Sequence, residues 1–264
     1  MKFAFRIILL TLHLGAGVFG QQALPSNQTL QERLFERVTK GDEEQRFDTV
    51  MQLVGLFNSA PKTATEQGIA LLKSTLQRDS SPQVRALAAQ AFENCCGDQS
   101  VSVLLASLGS EREASVRKAI IYALAHHPSP QVTSSLTLLL NDKAQEIRGA
   151  AAFALAEITD PASQPALMEV LRKRQKDEDA FTRAQSLRAL GKIGNRSAID
   201  IFVKSLRRDK SPDARREAAY AIGLIANQQD VNALEALREA RLDADPYLAR
   251  LAVEALDKVN SRNS

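Results

Sequence analysis

The sequence predicts an all-α protein, a solenoid of stacked helical hairpins. Three observations carry that prediction. A self-similar motif returns every 31 to 35 residues, its apolar positions follow a helical rather than a strand period, and the composition is rich in Ala and Leu but has no Trp.

The motif is plainest where Pro82-Gln83-Val84-Arg85-Ala86-Leu87-Ala88-Ala89 returns as Pro212-Asp213-Ala214-Arg215-Arg216-Glu217-Ala218-Ala219. Between them, Val116-Arg117, Ile147-Arg148 and Thr182-Arg183 each open a similar stretch. The five arginines are 32, 31, 35 and 32 residues apart. A sixth copy beginning at Pro246 keeps the frame with Ala249 in the arginine's place. Six residues before each of these positions stands an acid: Asp79, Glu111, Asp142, Asp177, Asp209 and Asp243.

Each copy also carries an earlier apolar-periodic segment, such as Gly68 to Leu76 or Ile199 to Leu206. Apolar residues at i, i+3, i+4 and i+7 predict helices throughout. Pro82, Pro212 and Pro246 fall where a first helical turn tolerates proline. Each unit is therefore two antiparallel helices, neither able to bury its apolar face alone, and stacking makes one continuous core. About six such pairs are expected over residues 63–260. Residues 21–62 are expected to form a capping helix pair, broken at Gly41-Asp42, and residues 261–264 a frayed polar tail.

The acid, the Val-Arg pair, the Ala three residues later and the Ala-Leu-Gly ending resemble the HEAT-like repeats, including those first described in phycobilisome lyases. Gly191 and Gly223 supply the final glycine, whereas Cys95-Cys96 and Ala125-His126 replace it elsewhere. The resemblance covers about residues 64–258 and implies a right-handed α-α superhelix, with the second helix of each hairpin on the concave side. Repeats of this kind serve many unrelated roles, so it implies no activity.

Residues 1–20 read as a secretory signal. Lys2 and Arg6 precede an apolar run from Ile7 to Leu14, small residues follow, and Val18-Phe19-Gly20 is a cleavage site ahead of Gln21. The run is too short to span a bilayer, which needs about 20 residues. No cysteine follows it that could take a lipid. The mature chain is thus expected in a periplasm or the extracellular space, with no integral membrane segment. The net charge of +3 falls to +1 without residues 1–20, and no basic block remains to suggest nucleic acid.

Three sets of residues are candidates for function. The arginines Arg85, Arg117, Arg148, Arg183 and Arg215, with acids such as Asp79, Asp142 and Asp209, could form an anion-binding ladder. Their even spacing favours a structural row that pairs arginines with acids and carbonyls between helices. Counting from the arginine, positions −1, +3, +6 and +7 are apolar in nearly every copy and share a face, leaving +1 and +5 pointing outward. Position +5 reads Gln90, Tyr122, Phe153, Arg188, Tyr220 and Glu254. Position +1 reads Ala86, Lys118, Gly149, Ala184, Arg216 and Arg250. Aromatic and Arg side chains are enriched at binding hot spots. Lys118, Tyr122, Phe153, Arg188, Arg216 and Tyr220 are therefore expected to contact a protein or peptide partner.

The third set is Cys95, Cys96, His126 and His127, on equivalent loops of adjacent repeats. Thiolate and imidazole together suit zinc or copper. Against this stand free buried cysteines, a vicinal disulfide, or pairing with another chain, and no cofactor is otherwise expected. Two glycosylation sequons, Asn27-Gln28-Thr29 and Asn195-Arg196-Ser197, matter only in a host that glycosylates exported chains.

Enzymatic readings find little support. The HEAT-like relatives include a di-iron hydroxylase that relies on His-Glu pairs, and this sequence has none. A bilin lyase survives by analogy alone, and no phosphate loop, nucleophile elbow or metalloprotease motif is present. The expectation is a non-catalytic, exported binding scaffold. The alternative is a lyase-like accessory protein holding a small molecule or metal.

Overall fold

A computed structural model describes residues 30–59, 66–173 and 179–262. Residues 1–20, read above as a secretory signal, with the expected cleavage site, the Asn27 sequon and Asp177, lie outside them. The described residues form seven helical hairpins: α1 (Leu30–Lys40) with α2 (Glu43–Ser59), α3 (Glu66–Arg78) with α4 (Pro82–Ala91), α5 (Gly97–Ser110) with α6 (Ala114–Leu124), α7 (Pro130–Leu139) with α8 (Gln145–Ile158), α9 (Gln164–Lys173) with α10 (Ala180–Ile193), α11 (Ile199–Arg208) with α12 (Pro212–Ile225), and α13 (Val231–Ala240) with α14 (Pro246–Ser261). There is no strand among the described residues. The fold is the all-α solenoid that the repeat predicts.

The repeat motif opens the second helix of each hairpin. Ser81, Ser211 and Asp245 cap their helices by accepting backbone N–H groups at Val84, Ala214 and Tyr247, and a proline follows each cap. A side-chain cap of this kind contributes about 1 kcal/mol. The even-numbered helices then pack directly on one another, each on the next, while the odd-numbered helices, α11 and α13 apart, touch only lightly. A stack spaced more tightly along one row curves toward that row, so the even helices line the inner face.

Small residues make the tight row possible. In α12 the inward positions Ala214, Ala218, Ala221 and Ile222 are all fully buried, as are Ile147, Ala151, Ala154 and Leu155 of α8. Gly191 of α10 and Gly223 of α12 let successive backbones approach. A Cβ at Gly191 would lie 2.7 Å from Ala221 Cβ and 2.8 Å from its Cα, and one at Gly223 would lie 2.7 Å from Ala255 Cβ.

Both ends differ from the sequence expectation. The segment expected as a cap carries a repeat arginine of its own, Arg46, and α2 packs on α4 as later even helices pack on theirs. At the other end α14 continues to Ser261. Arg262 donates to Gly223 O at 2.5 Å and Ala226 O at 3.1 Å, satisfying carbonyls at the C-terminal end of α12 and tying down a segment expected to fray.

Candidate functional site on the inner helical face

The arginine row is bonded from hairpin to hairpin. Arg46 pairs with Asp79 at 2.8 Å, Arg85 with Glu111 at 2.8 Å, Arg117 with Asp142 at 2.5 Å, Arg148 with Asp179 at 2.9 Å and Arg183 with Asp209 at 2.7 Å. Arg215 pairs with Asp243. Every arginine thus meets an acid of the following unit rather than the one six residues earlier; for Arg148 that acid is Asp179, four residues before Arg183. To its own unit it offers hydrogen bonds to turn carbonyls, as from Arg85 Nη1 to Asp79 O at 2.8 Å and Arg148 Nη1 to Asp142 O at 3.1 Å.

The acids have a second task. Asp79, Asp142 and Asp209 each accept a backbone N–H two residues on at 2.9 Å, closing the turn between the helices of the hairpin. Arg117 holds the Asp142 carboxyl below its ordinary range. At Asp209 burial opposes ionisation, yet Arg183 and the Ser211 N–H outweigh it and the carboxyl is again lowered. These guanidiniums are committed to scaffold.

The +1 and +5 positions of the even helices lie along the inner face. Tyr122 and Phe153 touch edge to face with ring centroids 5.4 Å apart, and burial raises the Tyr122 phenol. Lys258 Nζ sits 5.4 Å from the Tyr220 ring. Arg188 lies between Glu157 and Glu217, 4.0 Å from each, and its buried Nε has no hydrogen-bond partner. Lys118 is half-buried beside this row. Arg216 is less available than its position suggests. It donates to Asp245 at 2.8 and 3.1 Å and to Asp213 at 2.9 Å, and its guanidinium lies 5.2 Å from the Tyr247 ring.

Four further residues on this face escaped the sequence reading. Phe47 and Met51 of α2 stand at +1 and +5 from Arg46, both exposed. They were missed because Lys40, not an acid, lies six residues before Arg46. The signal that could find them is Asp79, which needs an arginine one repeat earlier. Phe181 and Tyr247 stand at −2, one turn below the +1 position, and are 50% and 60% exposed. Gly149 makes room for Phe181, since a Cβ there would lie 2.5 Å from the ring.

Between α10 and α12 the face dips into a cavity of about 430 Å³, whose lining includes Phe181, Ala184, Gln185, Asp213, Arg216 and Glu217. Burial raises the Glu217 carboxyl, with Arg188 opposing.

The metal reading of Cys95, Cys96, His126 and His127 does not hold. Cys95 and Cys96 are joined to each other in a vicinal disulfide, so neither offers a thiolate. His127 spends Nε2 on Phe92 O at 2.6 Å. Among the described residues no group of three or more His, Cys, Asp or Glu is placed to hold a metal ion. Cys96 takes a left-handed backbone, φ +71°, as the residue ahead of α5. The second sequon is also engaged locally: Asn195 is buried, and its Oδ1 accepts Ser197 N–H at 3.0 Å.

Comparison with known proteins agrees with this architecture. The family model for HEAT repeats matches residues 69–156, 101–179, 133–222 and 173–257. The chain belongs to the HEAT-repeat family. It is 23% identical over 167 residues to an uncharacterized phycocyanin operon protein Z of Pseudanabaena tenuis, covering 61% of this chain and 81% of that one. It is 29% identical over 113 residues to a deoxyhypusine hydroxylase of Arabidopsis thaliana, covering 43% of this chain and only 35% of that enzyme. Among solved structures, Kap121p bound to Pho4p superposes with a TM-score of 0.63 at 15% identity, over 87% of this chain and 29% of that one. The YibA protein of Escherichia coli superposes at 0.59 with 20% identity, over 87% and 92%. At such identities the superpositions show the fold. No helix among the described residues is long and apolar enough to cross a membrane.

Proposed function

We propose that this chain is an exported, non-catalytic scaffold that holds a segment of another protein against its inner helical face. The observation that carries the reading is the run of side chains there. Phe47, Met51, Tyr122, Phe153, Phe181, Tyr220 and Tyr247 occupy the −2, +1 and +5 positions of stacked helices, interleaved with charged groups. Such a long, mixed surface suits a polypeptide better than a compact ligand, which takes a deep, mostly apolar pocket. The likeness to Kap121p bound to Pho4p supports the ability of this fold to carry a protein ligand. Export rests on Lys2, Arg6 and the apolar run from Ile7 to Leu14.

A second reading, a lyase-like accessory role toward a small molecule, draws on the likeness to the phycocyanin operon protein. The hydroxylase chemistry named for the plant relative is not proposed, because the sequence contains no His-Glu pair.

The test is affinity purification of the tagged mature chain from its native envelope, with a Tyr122→Ala, Phe153→Ala, Arg188→Ala, Tyr220→Ala variant beside it. A partner protein recovered by the wild type and lost by a folded variant supports the scaffold. Partners retained equally move the interface off the inner face. Recovery of a chromophore or other small molecule instead favours the second reading. N-terminal sequencing that starts near Gln21 supports export.

A further inference from the structure

The cavity between α10 and α12 holds a buried polar acceptor that lacks a partner. Gln185 is 9% exposed, it lines the cavity, and its Oε1 has no hydrogen-bond partner. From α12 the Glu217 carboxylate, 24% exposed, lines the same space and meets Arg188 at 4.0 Å, an ion pair too long for a hydrogen bond. Leaving a buried acceptor unmade costs about 1–3 kcal/mol, so a protein without a use for Gln185 Oε1 would gain by replacing it.

We infer that this cavity takes a cationic side chain, a lysine or arginine projecting from an extended partner segment, with Gln185 Oε1 and the Glu217 carboxylate as its acceptors. The inference rests on the reading of the inner face as a polypeptide-binding surface.

Three observations favour a cation over an anion. The unpartnered Gln185 Oε1 and the loosely paired Glu217 carboxylate are acceptors, and acceptors bind donors. The lining holds two carboxylates, Asp213 and Glu217, against one guanidinium, Arg216, whose donors already serve Asp213 and Asp245. The helix starts at the rim, which could otherwise attract an anion, are capped: Asp179 accepts from Thr182 N–H and Ser211 from Ala214 N–H. Phe181 adds a half-exposed ring at the wall, placed to lie against an aliphatic stem or a guanidinium plane. The raised Glu217 carboxyl fits a group desolvated ahead of its partner.

The test uses fluorescence polarisation with a labelled short peptide of Gly, Ser and Leu. Its central residue is arginine, the neutral isostere citrulline, or glutamate. The arginine peptide is expected to bind about tenfold tighter than the citrulline peptide. Glu217→Gln and Gln185→Leu should erase that advantage, while Tyr122→Ala weakens all peptides alike. Gln185→Leu should melt at or above the wild-type temperature, since it removes an unmet buried acceptor. If all peptides bind equally and only Tyr122→Ala matters, the cavity inference fails and the scaffold reading stands. A preference for glutamate, no binding of the arginine peptide, or a marked drop in melting temperature in Gln185→Leu also overturns it.

Discussion

Arg183 reaches out of its own hairpin to hold Asp209 of the next, with Nη2 2.7 Å from Oδ1 and Nε 2.8 Å from Oδ2. Both side chains are almost fully buried, at 5% and 6% exposure. The pair is bidentate, and Asp209 also closes the turn before α12 through the Ser211 N–H. Losing one partner leaves the other charge buried. Arg183→Ala should therefore cost about 3–5 kcal/mol, read as a lower urea midpoint, and Arg183→Met with Asp209→Asn, which keeps an acceptor for the Ser211 N–H, should restore part of it. A loss below about 1 kcal/mol for the single change would show that the rung contributes no more than a surface ion pair.

The rungs set the acid limb of stability. Asp142 and Asp209 are held below their ordinary range, so their folded forms bind fewer protons than the unfolded chain as the pH drops. Their contribution is present above the usual carboxylate values and is lost as pH falls through that range toward the lowered folded values. Urea midpoints from neutrality down to about pH 3 should fall steadily, and Arg117→Met should flatten the part owed to Asp142. An unchanged acid slope in that variant would contradict the assignment.

The close approach of α10 and α12 has no room for a side chain at Gly191. Gly191→Val should force the backbones apart at Ala221 and destabilise by about 1–3 kcal/mol, whereas Gly109, with nothing within 4 Å, should tolerate Ala. Thermal melts of the two variants side by side decide the matter.

Cys95 and Cys96 are sequence neighbours, so their bond closes almost no chain. The stabilisation a disulfide draws from restricting the unfolded chain grows with loop length, so Cys95→Ala with Cys96→Ser should shift the melting temperature little. A thiol titration of the unfolded protein should find none before reduction and two after. Free thiols in the unreduced protein would reopen the question of what these cysteines bind.

The sequence by itself determined the repeat, the all-α class and the face each helix buries. A spacing near 32 residues and a helical apolar period are local facts, and stacking is the way such hairpins bury their apolar faces. Tertiary structure alone decided which acid each arginine meets. Asp79 stands six residues before Arg85, but its carboxylate belongs to Arg46, because a side chain leaving the second helix points across the stack toward the next turn. The same limit hid Phe181 and Tyr247, whose place on the inner face depends on how the second helices align. It also hid the cavity at Gln185 and Glu217, because an unmet acceptor exists only once the neighbouring helix has failed to supply a donor. Sequence periodicity reports which side of a helix is buried; what lies opposite that side is fixed by the stacking of units about 32 residues apart.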